Sequence, residues 1–325
     1  MLTGGLSGSS VDDMAAVFGA NNANPLTLGF WSTLVTLLTM LIVGKGVQKG
    51  IEKSVSWMMP GLVIMLVVLI GFGLFSGGFG AAVNFLFSFN AGSLSSEGLL
   101  AALGHAFFTL SLASGAILTY GSYLPKEASI GRTTVSVAVA DTVVALMAGL
   151  AIFPVIFANG MNPGQGPGLI FMSLPLAFQA MPLGTLFGIL FFLMLSMAAL
   201  TSAISMVEAT VSWLCDNKGL SRPAAAWGTG IVLWLISTLA MLSFNLGAEW
   251  TLADKTFFDW LDYLTSRWMM PLGGLGMVVL AGFVLKSDTF REELGLSPLP
   301  YALWLAMVRY VSPLGIVVIF VDALG

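Results

Sequence analysis

His105-Ala-Phe-Phe-Thr-Leu-Ser-Leu-Ala-Ser-Gly115-Ala-Ile-Leu-Thr119 is an apolar run with a cluster of small and hydroxyl residues, Thr109, Ser111, Ser114 and Gly115, set inside it. The surrounding apolar stretch, about 99–123, is long enough to cross a bilayer, which takes about 20 residues. The polar cluster then falls at mid-depth, ~15 Å from either end at 1.5 Å per residue. Backbone groups in hydrocarbon must be satisfied internally, so a non-helical stretch survives there only where it lines a cavity. If the helix unwinds around Leu112–Gly115, its freed carbonyls and amides can bind a cation and a carboxylate. The same residues also suit close packing of one helix against another.

Composition supports a membrane setting for the whole chain. Hydrophobic residues make up 57% of the 325 residues and charged residues 9%, against about 25% in ordinary soluble domains. That little charge cannot cover a water-facing surface, so the apolar excess must face lipid. A net charge of -4 suggests no nucleic-acid partner. One cysteine, Cys215, excludes an internal disulfide, and a lone histidine, His105, argues against a histidine-rich metal site. Residues 1–20 carry neither a basic n-region nor a compact apolar core, so no cleavable signal peptide is read there.

Eight apolar stretches bounded by charge or by Gly/Pro clusters predict spans near 26–44, 54–75, 99–123, 133–157, 183–213, 223–243, 268–285 and 301–321, within a single transmembrane domain over 1–325. The fifth exceeds a perpendicular crossing and is expected to tilt or project. Lys45, Lys49, Lys53, Lys126, Arg132, Lys218, Arg222, Lys286 and Arg291 all lie in alternate connections, which the positive-inside rule makes cytoplasmic. The other connections are acidic or neutral, with Asp12, Asp13, Glu97, Glu249, Asp254, Asp259, Asp262 and the terminal Asp322. Both termini are therefore expected outside a plasma (inner) membrane. An outside start without a signal sequence, in the Gly/Ser-rich Met1–Ser10, leads to the expectation that an odd number of earlier spans is missing.

Further polar groups sit inside the predicted spans. Asp141 lies nine residues beyond Arg132, roughly 13 Å into the membrane, where a carboxylate must be paired, protonated or bound to a cation. Ala198-Ala-Leu-Thr-Ser202 places hydroxyls at mid-depth, where a hydroxyl and nearby carbonyls suit a hard cation such as sodium. Glu208, nearer the basic end, fits either a bond to helix ends or a nearby Lys/Arg, or a proton-linked role. The glycine-rich 159–168 followed by the short apolar Leu169–Phe178 fits a lid-like hairpin over 158–182 or an interfacial helix. Gly71-Phe-Gly-Leu-Phe-Ser-Gly77 lacks the strand–turn–helix context of a phosphate loop, and no nucleophile or His/Cys/Asp cluster appears at workable spacing, so no enzyme is expected.

At these residues the chain resembles the neurotransmitter:sodium symporter family, in its bacterial amino-acid branch with the LeuT-type fold. Phe107-Phe-Thr-Leu-Ser-Leu-Ala-Ser-Gly-Ala-Ile-Leu-Thr-Tyr-Gly-Ser-Tyr123 is similar to the family's broken sixth helix. Asp141-Thr-Val-Val-Ala-Leu-Met-Ala-Gly-Leu-Ala-Ile-Phe-Pro154 resembles the seventh, and Ala198-Ala-Leu-Thr-Ser-Ala-Ile-Ser205 the eighth. Gly166-Pro-Gly-Leu-Ile-Phe-Met-Ser-Leu-Pro175 resembles the fourth extracellular loop, a lid, and Lys45-Gly-Val-Gln-Lys-Gly-Ile-Glu-Lys53 the cytoplasmic link between helices four and five. The match implies an all-α polytopic bundle, a partial inverted-repeat fold of about eight spans equivalent to family helices four to eleven, with helices one to three absent.

The resemblance also implies a function: sodium-coupled symport of an amino acid or related small amine, with sodium as coupling ion and no other cofactor. It implies Thr109 and Asp141 in a first sodium site, and the Ala198 carbonyl, Thr201 and Ser202 in a second. Phe108, Ser111, Ser114, Ala203 and Met206 would line the substrate pocket, and Asp262 would belong to the outer gate. Two positions depart from the pattern. Ser114 stands where the bacterial branch commonly has an aromatic residue, which widens the pocket or makes it more polar. Asp141 stands where asparagine is frequent, and its added charge suggests transport independent of chloride. Because the family's missing helices carry half of each ion site, the chain alone is expected not to transport. The alternatives are a non-transporting fragment or scaffold, a piece completed by a separate chain, or an ion channel.

Overall fold

The computed structural model describes residues 11–88, 95–161, 163, 168–179, 182–285 and 287–324. Met1–Ser10, residues 162, 164–167 and 180–181 of the expected lid, and Lys286 lie outside the described residues, as do the side chains of Asp12, Glu97 and Asp322. In chain order the helices are α1 (Val11–Ala23), α2 (Pro25–Gly44), α3 (Lys53–Leu74), α4 (Phe79–Phe87), α5 (Ser96–Thr109), α6 (Ala116–Ser122), α7 (Ile130–Ala158), α8 (Leu174–Gln179), α9 (Gly184–Lys218), α10 (Arg222–Leu242), α11 (Phe257–Asp262), α12 (Met270–Val279), α13 (Ser287–Leu294), α14 (Pro298–Ala306) and α15 (Ser312–Leu324). π-Helical turns at Val47–Glu52, Tyr263–Met269, Leu280–Val284 and Met307–Val311 extend or join these helices. The described residues contain no strand beyond one isolated bridge, Leu252 to Lys255.

Seven of the described helical stretches are long and apolar enough to cross a membrane: Pro25–Gly44, Val47–Leu74, Ile130–Ala158, Gly184–Lys218, Arg222–Leu242, Phe257–Val284 and Pro298–Val321. The remaining predicted stretch, 99–123, consists of two short helices, α5 and α6, separated by six residues. Helices α1, α4 and α13 fall where the sequence pattern predicted connections, because none is long enough to register as a span. Only 6% to 28% of the residues in each spanning stretch are buried inside the protein, so most of their apolar surface is left to face lipid. Between such helices the attraction is van der Waals contact and hydrogen bonding rather than exclusion of water.

The helix ends follow ordinary capping chemistry. Asn24 accepts from the backbone N–H of Leu26 and Thr27 at 3.0 and 3.1 Å, with Pro25 at the first helical position of α2. Thr256 and Asp259 form a capping box at the start of α11. Gly219 ends α9 with φ 65°, its N–H donating to the Cys215 carbonyl at 3.1 Å, and Pro223 then opens α10.

The chain gathers into two compact units. The first comprises residues 1–89 and 142–250. Its core joins α3, the later part of α7, α8 and α9 through Leu66, Leu69, Val155, Phe178 and Phe191, all 2% exposed or less. Pro154 interrupts the α7 hydrogen-bond ladder, and α3 closes on that point through Gly73, whose missing side chain leaves room for the Pro154 ring. Asn159 ties the end of α7 to α8 by donating to the Val155 and Ala177 carbonyls at 2.8 and 3.3 Å.

The second unit comprises residues 90–141 and 251–325. Here α12 packs on α15, and α15 on α5. Trp268 meets Phe320 edge-on at 5.5 Å. Arg309 donates through Nε to the Gly282 carbonyl at 2.6 Å with its guanidinium 5.6 Å from the Phe283 ring. That bond links two π-helical turns, the kind of irregularity frequent at functional positions.

Candidate functional site

In the second unit the helical ladder stops at Thr109 and resumes at Ala116. Ser111 adopts φ 51° and Gly115 φ 79°, both left-handed, so the backbone reverses twice within five residues. For serine that conformation costs roughly 1–2 kcal/mol, and it persists only where the surroundings hold it. Ser114 holds it from inside, donating through Oγ to the Ser111 carbonyl at 3.1 Å and accepting from the Ala116 N–H at 3.5 Å.

Two residues that the sequence pattern did not mark hold it from outside. On α12, a Cβ at Gly274 would collide with the Phe107 ring, and one at Gly273 would lie 3.1 Å from the Ala113 carbonyl oxygen. The small-residue string Gly273-Gly-Leu-Gly276 was the available signal, and small residues at a transmembrane contact are a general device for close approach.

Thr109, the last residue of α5, donates from Oγ1 to Asp141 Oδ1 at 3.1 Å. The structure thus brings together the two residues assigned by resemblance to a first sodium site. Two oxygens at that separation can share one hard cation, for which hydroxyl, carboxylate and carbonyl oxygens are the natural ligands. Phe108 precedes this pair and is 63% exposed. Asp262, at the end of α11, is exposed and accepts from Ser266 Oγ at 3.2 Å.

In the first unit, α9 carries the second group. Thr201 donates from Oγ1 to the Ala198 carbonyl at 2.9 Å, and Ser205 donates to the Thr201 carbonyl at 3.0 Å. These bonds fold the hydroxyls back onto their own helix, a common habit of Ser and Thr in transmembrane segments. They also leave the Ala198 carbonyl and Thr201 Oγ1 adjacent, a pair of oxygens of the type a cation takes. Ser202 and Met206 are exposed and Ala203 is half-buried.

Glu208, two residues past Met206, is fully buried and forms an ion pair with Arg222 at the start of α10. Arg222 also donates through Nε to the Val43 carbonyl at 3.0 Å, near the C-terminus of α2. One guanidinium therefore joins three helices, α2, α9 and α10. This is the paired-carboxylate arrangement rather than a carboxylate standing alone.

The sequence matches the family model for the sodium:neurotransmitter symporter family over residues 23–324. It is 37% identical to an uncharacterized sodium-dependent transporter, YhdH, of Bacillus subtilis (strain 168), over 99% of this chain and 72% of the relative. An uncharacterized sodium-dependent transporter of Haemophilus influenzae is 33% identical over 93% of this chain and 66% of its own length. Among solved structures, MhsT in complex with L-phenylalanine superposes with a TM-score of 0.86 at 37% identity, over 99% of this chain and 74% of that one. The chain thus spans about seven tenths of the proteins it resembles, and an interrupted helix bonded to a membrane carboxylate sits within the matched region: it belongs to the sodium:neurotransmitter symporter family.

Proposed function

We propose that this chain forms the larger part of a sodium-coupled symporter for an amino acid. The Thr109–Asp141 hydrogen bond at the interrupted helix carries this reading, because it sets a carboxylate and a hydroxyl beside backbone that has left its ladder. Sodium is cargo here, moved with the substrate rather than kept as a resident cofactor. Thr109 and Asp141 hold one ion, and the Ala198 carbonyl with Thr201 and Ser202 holds another. Phe108, Ser111, Ser114, Ala203 and Met206 line the substrate pocket, and Asp262 serves the outer gate. In this proposal residues 1–325 act as one transmembrane domain, with both termini on the outer side.

An amino-acid substrate is favoured by the relative MhsT, whose structure contains L-phenylalanine. An interrupted helix offers unpaired amides to the substrate carboxylate and carbonyls to its ammonium group, which suits a zwitterion. Asp141 supplies the negative charge beside the ion, so chloride is not required.

The test is thermal unfolding of the purified chain with a panel of L-amino acids, in sodium and in potassium. Stabilisation by one or more amino acids in sodium but not in potassium, retained when gluconate replaces chloride, is the expected result. Thr109→Val is expected to weaken the sodium response at least tenfold, since a hydrogen bond to a charged group contributes about 1.5–3 kcal/mol. Equal stabilisation in both salts would overturn the coupling, and no stabilisation by any amino acid would overturn the substrate class.

A further inference from the structure

Helices α2 and α10 pack closely through Gly230, which receives the Met40 side chain, and their outward edges leave an apolar trough. Two adjoining hollows of about 170 and 500 Å³ lie along it, sharing Thr33, Leu37 and Trp234. The smaller lies toward the end of α2 at which the lysines begin, between Met40 and Trp227. Trp227, Ile231 and Leu37 are 42%, 58% and 40% exposed there.

The polar groups along the trough are satisfied within the protein. The Trp234 indole N–H donates to Thr33 Oγ1 at 2.8 Å, Thr36 to the Ser32 carbonyl at 2.8 Å, and Thr238 to the Trp234 carbonyl at 2.7 Å. An occupant is therefore offered shape and apolar contact but little hydrogen bonding. A helix measures 10–12 Å across with its side chains and does not enter a hollow of about 170 Å³. A hydrocarbon chain does.

The mouth of the trough determines the rest of the ligand. Beyond Gly44 come Lys45, Lys49 and Lys53, all exposed. Across residues 43–53 and 208–222 five basic side chains stand against three carboxylates, one of which, Glu208, is already paired with Arg222. The span from Gly44 back to Leu34 is about 15 Å along the helix axis, the depth of one leaflet of hydrocarbon. An acyl chain running from the lysine end therefore terminates beside the Trp234–Thr33 bond.

We propose that this trough is a binding site for an anionic glycerophospholipid, with one acyl chain between α2 and α10 and the phosphate at Lys45 and Lys49. Basic clusters beside apolar clefts between transmembrane helices are suited to such headgroups.

The experiment uses the full chain in detergent micelles with added phosphatidylglycerol or phosphatidylcholine carrying identical brominated acyl chains, which quench tryptophan on contact. The fluorescence of the Trp227→Phe/Trp234→Phe protein, subtracted from that of the parent, isolates the two groove indoles. Half-quenching is expected at a mole fraction of phosphatidylglycerol at least fivefold below that of phosphatidylcholine. Lys45→Gln and Lys49→Gln, both at exposed positions, are each expected to reduce this preference about fivefold. Equal quenching of the parent by the two lipids means ordinary annular contact and overturns the proposal. A failure of both to quench means that protein, such as a second copy, fills the trough, and survival of the preference when Lys45→Gln and Lys49→Gln are combined removes the assigned headgroup contact; both also overturn it.

Discussion

Replacing Arg222 by methionine tests the three-helix junction directly. The change keeps much of the side-chain volume but removes the ion-pair partner of Glu208, whose side chain is 0% exposed while that of Arg222 is 24% exposed. Breaking a buried ion pair by removing one member costs about 3–5 kcal/mol. Loss of the Nε bond to the Val43 carbonyl adds about 1 kcal/mol. The reciprocal change, Glu208→Gln, is expected to cost less, because the partly exposed guanidinium can turn to water or lipid phosphate and keeps its bond to Val43. The double variant Glu208→Leu/Arg222→Met removes both charges and is expected to return to within about 2 kcal/mol of the parent, since a buried pair is often no better than apolar packing. Unfolding in mixed micelles with rising dodecyl sulfate, followed by tryptophan fluorescence, measures all three. If Arg222→Met costs less than about 1 kcal/mol, or the double variant is no more stable than Arg222→Met alone, the pair does not hold the junction as described.

Further substitutions probe the helix break. Gly274→Ala drives a methyl group into the Phe107 ring and is expected to cost about 1–3 kcal/mol, while Gly276→Ala, with nothing within 4 Å, is expected to be neutral or mildly stabilising in the same unfolding assay. At Ser111, with φ 51°, glycine is expected to be tolerated and valine to cost about 1–2 kcal/mol more than glycine, because a branched Cβ suits the left-handed region least. Thermal unfolding of the two Ser111 variants side by side gives that difference.

The helical class and the membrane setting could be read from apolar run length and charge scarcity, because both are local and additive along the chain. Capping at Asn24-Pro25 and at the Thr256–Asp259 box also acts within four residues, although run length and charge alone do not mark it. Long-range partners were not legible. Gly273 and Gly274 lie some 160 residues from the Ala113 carbonyl and the Phe107 ring they accommodate, and nothing in their own neighbourhood distinguishes them from Gly276, which meets nothing. Glu208 illustrates the same limit, since its sequence position allowed either a solitary or a paired carboxylate, and only the turn at Gly219–Ser221 brings Arg222 within reach. Helix α1 escaped notice because Asn, Gly and Ala dilute its apolar character below that of a span. Hydroxyl groups were ambiguous for a physical reason: Thr201 and Thr109 look alike in sequence, yet one bonds its own helix and the other a carboxylate 32 residues away.

Asp141 makes the strongest energetic case for a cation. It lies 11 residues into α7, about 16 Å from that helix's start, where an ionised carboxylate costs several kcal/mol. Thr109 offers it one hydroxyl hydrogen, and among the described residues no ion pair to it is formed. In the proposed site a sodium ion shared by the two oxygens would offset that cost, which links ion affinity to folded-state stability. Binding at a hundredfold excess over the dissociation constant adds about 2.7 kcal/mol. Asp141→Asn keeps the shape and an acceptor for Thr109 while discarding the charge. It is therefore expected to be more stable than the parent in potassium and to gain almost nothing when sodium is added. Both differences are read by chemical unfolding across a sodium titration at constant ionic strength. An asparagine variant that is less stable than the parent in potassium, or that keeps the parent's sodium increment, would mean that Asp141 is satisfied by protein groups alone and that the ion is held elsewhere.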